Sequence, residues 1–505
     1  MAGIGIRLNK IFKRHTLIHT LYGSGYSMLA TVTPMLVVIG AMLLMYVFLG
    51  FDSVRYYDRE LFSCTILYVF IFSLLAASPF NSVLSKYVGD RIFEERYEDI
   101  LPCIYVGMAL NMGLAGLIGI PFHIWALVVG KIPLYWVFTA YCAYIGLGLC
   151  FYQMLYLSIV KAYKRISAFF FAGMLLCFVL SLIFRFLLGM SVTYSMLLAM
   201  TIGFFLIACL EYGYAKSYFH ENSHHYREVL AYFRIYWKLI FTNFFYILGL
   251  FIHNFVFWTK EDMRMILADT YVCNQPYDMA TCIAMFTNLS ASVIFIAYVE
   301  MHFHEKYQNY TEAVLGGRLK DIVKSKKRMF RLMGDQLMRV TQLQYIISVV
   351  LFLLCVILLP RFGMTGYVMT IYPCLAAGYF VLFLMYTTIL FLQYFNDLTG
   401  SMLTSTIFVI VTGVVSVFAK GFPDYWYGIG VFVGSIAAWS FAYMRLRWLE
   451  KHLDEHIFCR GTLLERANEP MPDAKVYDLR EIRRQQRQQE QGQGRDGEKK
   501  REKQG

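Results

Sequence analysis

The chain has 505 residues, of which 58% are hydrophobic, 17% aromatic and only 16% charged. Soluble domains carry about 25% charged residues, and here no stretch between the apolar runs is long enough for a separate soluble domain, so an ordinary soluble enzyme is excluded. The net charge of +12 reads as membrane topology and attraction to anionic lipid heads, not as nucleic-acid binding.

Residues 1–21 are expected to form an interfacial helix. Ile4, Leu8, Ile11 and Phe12 share one face, and Arg7, Lys10, Lys13 and Arg14 cover the rest. The apolar run that follows is too long for a signal peptide and has no convincing small-residue cleavage site. At about 20 apolar residues per crossing, spans are expected at 22–49, 62–84, 101–120, 134–159, 166–187, 192–214, 236–258, 278–300, 341–359, 369–394, 401–419 and 424–444. Gly23 and Gly25 precede Pro34 in the first span, which marks it as the most deformable helix and the expected gate. Pro102 and Pro373 stand in or beside later spans.

Almost every Lys and Arg falls in alternate loops. The rich set holds the N-terminus, Lys86/Arg91/Arg96, Lys161/Lys164/Arg165, the 216–238 loop, the 306–339 loop and the tail. Positive charge stays cytoplasmic, so both termini are expected inside. The fold class is therefore an all-α polytopic membrane protein of about 12 transmembrane helices. The 215–235 linker divides it into six-helix bundles at 22–214 and 236–447. In the 301–340 loop Leu319, Ile322, Val323, Phe330, Met333 and Leu337 recur at helical spacing among basic residues, predicting an amphipathic cytoplasmic helix. Lys324, Lys326, Lys327 and Arg328 on it are the candidate partner surface. The segment 448–505 reads as a cytoplasmic tail, disordered from about 469 by composition.

Most of the cysteines lie inside spans as small apolar residues. Cys64 and Cys273 fall near the outer face, where they could meet in a disulfide. His302-x-His304 and His224-His225 lack supporting ligands and read as surface residues, so no metal or cofactor is expected.

Ionisable groups inside a bilayer are costly and usually functional. Arg185 lies near the outer end of its span, and Glu211, Glu300 and Asp397 at cytoplasmic ends. That leaves His253 as the one titratable group expected in the interior. The remaining polar residues there are Asn111, Gln153, Asn243, Asn254 and Asn288, with Tyr144, Tyr246 and Trp258 adding aromatic surface. An amide in a span often serves only as an interhelical hydrogen bond of about 1 kcal/mol. Together, amides and aromatic rings also suit a path for sugar hydroxyls and flat sugar faces. A carboxylate-driven antiporter and a flippase for pyrophosphate-linked lipids with a basic cavity fit this interior less well, and no loop is large enough for the catalytic domain with paired aspartates of a membrane glycosyltransferase.

Several stretches are similar to one family. Met1-Ala2-Gly3-Ile4-Gly5 with Leu8, the Tyr22-Gly23 to Pro34 entry, the run Ser85-Lys86-Tyr87-Val88-Gly89-Asp90-Arg91 continuing to Pro102, and the Phe257-Trp258 pair resemble the PelG family of Pel exopolysaccharide exporters. Thr31-Val32-Thr33 and Lys260-Glu261-Asp262 depart from that family's pattern. The resemblance implies two six-helix bundles around a cavity, as in the MATE-like multidrug/oligosaccharidyl-lipid/polysaccharide flippase superfamily. It implies a transporter, not an enzyme, moving an N-acetylgalactosamine/galactosamine-rich polymer for biofilm matrix. The implied partners are the cytoplasmic glycosyltransferase PelF and the membrane proteins PelD and PelE, with cyclic di-GMP acting through PelD. A lipid-linked oligosaccharide flippase and a membrane scaffold for a glycosyltransferase remain as other readings of the residues.

Overall fold

The computed structural model describes residues 17–160, 162–288, 306–307, 309–310, 312–314, 318–362 and 366–459. The first helices are α1 (Leu17–Phe48), α2 (Tyr56–Phe93), α3 (Ile100–Val128), α4 (Leu134–Ile159), α5 (Tyr163–Phe186) and α6 (Val192–Tyr218). A short amphipathic helix α7 (Tyr226–Ile235) leads into α8 (Trp237–Phe257) and α9 (Gln275–Asn288). Then come α10 (Leu319–Leu358), α11 (Tyr367–Tyr394), α12 (Leu398–Ala419) and α13 (Ile429–Cys459). Among the described residues 10 helices are long and apolar enough to cross a membrane, and Thr33–Phe48 in α1 adds a shorter apolar stretch. The second half of the 278–300 span, with Glu300, His302 and His304, lies outside the described residues. So do the interfacial face at 1–16 and the tail beyond 459.

The described helices form two sets. α4 packs on α6, α2 and α3, while α5 packs on α6 and α1; in the second set α8 lies on α12, and α11 meets α9, α10 and α12. α2 against α8 joins the sets. These contacts belong to the unit Met1–Leu446, and the rest of α13 belongs to a second unit from Arg447. Within that second unit the Trp448 ring stacks on His452 at 4.8 Å.

α12 and α13 approach through a pair of glycines one turn apart. A Cβ at Gly430 would meet the backbone nitrogen of Ser416 at 3.0 Å, and one at Gly434 that of Thr412 at 2.9 Å. With little apolar driving force between helices in lipid, close backbone approach and buried hydroxyls hold such a pair together. At the other end of α12 Asp397 caps the helix by accepting from the Gly400 N–H at 3.0 Å and pairs with Arg445 of α13 at 2.6 Å.

Two features depart from expectation. The amphipathic helix expected within 301–340 and the span at 341–359 are one helix of 40 residues, α10. No proline interrupts it, so continuing the backbone hydrogen bonds is cheaper than breaking them at the change from basic to apolar sequence. At 1.5 Å per residue α10 is about 60 Å long, twice the ~30 Å hydrocarbon core, so its basic half projects beyond the bilayer. Of the expected apolar face Phe330 and Met333 are buried, together with Met329 and Val340, whereas Leu319 and Val323 are exposed. Gly23, Gly25 and Pro34, the expected gate, all lie within α1.

The second departure is a β-hairpin between α8 and α9. β1 (Met265–Leu267) pairs antiparallel with β2 (Tyr271–Cys273), with Met265 opposite Cys273. Ala268 (φ 49) and Asp269 (φ 53) both adopt left-handed conformations, and the Thr270 N–H closes the turn on the Leu267 carbonyl at 3.2 Å. Two consecutive positive φ values are what a type I′ hairpin turn requires, usually met by Asn-Gly. Ala-Asp carries no such signal, and strands of three residues leave no periodicity to detect.

Candidate functional site

The seam between α2 and α8 is aromatic towards the hairpin. Tyr68 of α2 stacks on Trp258 with ring centroids 5.1 Å apart and planes 6° from parallel, and Phe72 stacks on Phe255 at 5.9 Å. The hairpin closes over this pair, because the Tyr68 hydroxyl donates to the Val272 carbonyl at 2.8 Å and accepts from its N–H at 3.0 Å. At the other end of the seam Asn243 Nδ2 donates to the Ser78 carbonyl at 2.5 Å.

Beside the seam lies a cavity of about 90 Å³ lined by Thr65, Tyr68, Phe72, Phe122, His123 and Tyr144 among others. Tyr144 also lines a smaller neighbouring void of about 10 Å³ together with Asn111. The Tyr144 hydroxyl and Asn111 Oδ1 are both buried without a hydrogen-bond partner. Asn111 Nδ2 is held by the Gly107 carbonyl of its own helix at 3.0 Å. Among the described residues, the walls of both spaces contain no Lys, Arg, Asp or Glu. Ligand clefts are usually about 300–1,000 Å³, so this conformation holds no sugar-sized chamber at these residues.

The other candidate path residues go elsewhere. Gln153, buried between α4 and α3, reaches only Met108 Sδ at 3.9 Å, and its Oε1 has no partner. His253 is buried between the hydroxyls of Tyr277 at 2.8 Å and Tyr379 at 3.3 Å. Tyr246 stacks on Tyr386 at 4.7 Å. Asn288 is closed in an interhelical network: its Nδ2 donates to the Ala376 carbonyl at 3.2 Å and its Oδ1 accepts from Ser348 at 2.7 Å. Asn254 and Trp258 meet on a residue that the apolar pattern does not single out, Asp278.

Asp278 is 9% exposed at the first turn of α9. Its carboxylate accepts from Asn254 Nδ2 at 2.7 Å, from Trp258 Nε1 at 3.0 Å and from the Asn274 N–H at 3.0 Å. Glu60 (2% exposed) and Glu211 (fully buried) are likewise inside the protein, and neither Glu211 oxygen has a hydrogen-bond partner. All three lie near helix ends, so among the described residues the middle of the spans holds no carboxylate, yet each is covered by protein. Position along a span says how near a residue lies to the membrane surface, but not whether neighbouring helices cover it. Tyr68 and Phe72 were also missed, because aromatics at helical spacing in an apolar span look the same as core; Phe122 and His123 were missed because α3 runs on to Val128, past the expected end of its span at 120.

The run 85–102 has a structural role. Arg91 pairs with Glu94 at 2.6 Å and with Glu228 of α7 at 3.1 Å; Arg96 pairs with Asp99 at 2.6 Å. Tyr232 of α7 donates to Asp90 at 2.9 Å. These contacts tie the turn between α2 and α3 to the linker helix. At the hairpin end Lys260 donates to the Lys420 carbonyl at 3.1 Å and Lys420 to Thr259 at 2.7 Å, joining the ends of α8 and α12. Lys260 lies outside the spans, and its hydrogen bond with Tyr427 raises its pKa above the ordinary lysine value.

A family model described as "PelG: Putative exopolysaccharide Exporter (EPS-E)" matches residues 1–458. The chain belongs to the PelG family. It is a multi-pass membrane transporter, not an enzyme. No curated protein matches the chain in sequence. Solved structures similar to this PelG-family fold include the crystal structure of a MATE mutant, with a TM-score of 0.58 and 14% identity, covering 88% of this chain and 99% of that one. They also include the inward-facing conformation of a multidrug resistance MATE family transporter of the MOP superfamily, with a TM-score of 0.54, 14% identity and coverage of 84% and 99%. The outward-facing conformation of such a transporter matches with the same TM-score and identity and coverage of 85% and 96%. At such identities the likeness shows the fold alone. The equal match to inward and outward forms assigns no transport state to this PelG-family structure.

Proposed function

We propose that this chain exports a Pel-type polymer, rich in N-acetylgalactosamine and galactosamine, across the cytoplasmic membrane, with both termini in the cytoplasm. The polymer would pass along the α2–α8 seam as the two helix sets move apart. The observation that carries this reading is the pair of neighbouring spaces beside the seam, without Lys, Arg, Asp or Glu in their walls: aromatic rings line the larger, Asn111 the smaller and Tyr144 both, and Asn111 Oδ1 and Tyr144 Oη are buried without partners. Neutral sugars offer hydroxyls and acetamido groups to such atoms and apolar faces to such rings. A pyrophosphate-linked lipid would call for Lys or Arg there.

The test is the double variant Asn111→Leu, Tyr144→Phe. It removes two polar atoms that the protein itself leaves unpaired, and of paired ones only Asn111 Nδ2, whose acceptor is a carbonyl of its own helix, so membrane protein level and thermal stability should hold. If a sugar uses both, two hydrogen bonds of about 1 kcal/mol each are lost, and secreted polymer should fall on the order of tenfold or more. Asn288→Leu is the control: it breaks the network to Ser348 and Ala376 and should lower stability before it lowers export. Unchanged secretion by the double variant would remove the sugar path from this cavity.

We further propose that PelF takes the nascent chain to the exporter at the basic half of α10, with PelD and PelE in the same complex and cyclic di-GMP acting through PelD. Lys324, Lys327 and Arg328 are exposed there and Lys326 is half-buried. One exposed charge contributes only about 0.2–1 kcal/mol, so the test reverses Lys324, Lys326, Lys327 and Arg328 to Glu together. The glycosyltransferase should no longer co-purify and secretion should stop while the exporter stays inserted. Continued co-purification would assign the segment to lipid instead.

A further inference from the structure

We propose that Cys64 and Cys273 form a disulfide that fastens the hairpin to α2. Cys64 lies one turn before Tyr68, on the same face of α2. In β2 the alternate residues Tyr271 and Cys273 share a face and are both buried. The two faces are pressed together: the Tyr68 ring meets Tyr271 edge-on at 5.0 Å, and the Tyr68 hydroxyl is bonded twice to Val272. This packing of β2 on α2 brings Cys273 to Cys64. Each residue is only 2% exposed. Other buried cysteines face different groups: Cys103 the Tyr156 hydroxyl at 3.7 Å, Cys150 the Phe204 carbonyl at 3.1 Å and Cys177 the Met45 sulfur at 3.7 Å.

The proposal rests on the topology given above, which puts the hairpin outside the cytoplasm, where disulfides persist. Because both sulfurs are buried in the folded chain, oxidation takes place before the hairpin seats. One cysteine thiolate attacks the disulfide of an extracytoplasmic thiol oxidant, giving a mixed disulfide and one thiol on the oxidant. The second cysteine thiolate then attacks the mixed disulfide and displaces the oxidant's other sulfur. The Cys64–Cys273 bond forms, the oxidant's S–S bond breaks, and two electrons and two protons end on the oxidant as a dithiol. The product is a covalent tie between the first helix set and the segment joining α8 to α9. When α2 and α8 part, the hairpin stays with α2.

The experiment uses the full chain, alkylated in intact cells and purified without reductant, then digested and analysed by mass spectrometry. A peptide joining Cys64 to Cys273 is expected, absent after dithiothreitol treatment and absent in Cys64→Ser. Thermal melting of the purified exporter should drop on reduction in the parent and not in Cys64→Ser. Ala268→Cys separates the remaining cases. Free thiols in cells with Ala268→Cys labelled from outside overturn the disulfide. Free thiols with that position labelled only from inside overturn it through the topology on which it rests.

Discussion

Replacing Asp278 with leucine is expected to remove most of the folded exporter from the membrane. The carboxylate collects the Asn254 side-chain amide, the Trp258 indole N–H and the Asn274 backbone N–H, all of them buried. Leucine leaves the indole and backbone N–H groups with no acceptor and the Asn254 amide with only the long contact to Thr281 at 3.4 Å, and each buried unsatisfied donor costs about 1–3 kcal/mol. The sum, on the order of 3–6 kcal/mol, is a large share of the roughly 5–15 kcal/mol that holds a typical protein folded. The damage spreads through Trp258, since its ring is half of the Tyr68 stack that joins α2 to α8. Asp278→Asn keeps one acceptor oxygen in place and should recover most of the loss. Fluorescence-detected size exclusion and thermal melting of solubilised protein provide the measurement. A leucine variant that melts with the parent would show that the three donors find other partners and that Asp278 is no hub.

The second large effect is expected at the α12–α13 contact. Gly430→Leu with Gly434→Leu should drive these helices apart, because the obstacles are backbone atoms of Ser416 and Thr412 that cannot rotate away. Overpacking in a tight core costs about 1–3 kcal/mol per site, so the pair should lose on the order of 2–6 kcal/mol. The Asp397–Arg445 pair bridges the same two helices at 2.6 Å, and its geometry would be stretched as they separate. Ordinary insertion with an early thermal transition is the expected pattern, since each helix still meets the length and hydropathy needed to enter the bilayer. Gly413→Leu is the comparison: a Cβ there would meet only the Ile252 side chain at 3.5 Å, so the change should be mild. Equal effects from Gly413→Leu and the double variant would argue that helix propensity, not close approach, is responsible.

Much of the architecture was legible because the bilayer imposes a local rule. A span must satisfy its backbone within itself and cover it with apolar side chains, so runs such as 166–187 or 401–419 announce helices without any knowledge of their neighbours. The family was legible too, through the run at Lys86–Pro102 and the Phe257-Trp258 pair, and the match over residues 1–458 agrees. Function at individual residues was not. Asn111 and Asn288 are both amides in apolar helices, yet Asn288 is closed by Gln344, Ser348 and Ala376 from two other helices. Asn111 keeps an unpartnered oxygen beside a void.

By itself the sequence determined that this protein crosses a membrane many times through apolar helices, with its basic charge gathered in alternate loops. Those properties follow from the transfer of each segment between water and lipid, and transfer depends on the residues of that segment alone. Only the tertiary structure decided that Asp278 is buried among neutral donors, that α10 runs unbroken from its basic to its apolar half, and that Cys64 faces Cys273. Each of these depends on which surfaces come together from distant parts of the chain. Burial and hydrogen bonding are properties of such contacts, and no single apolar run carries them.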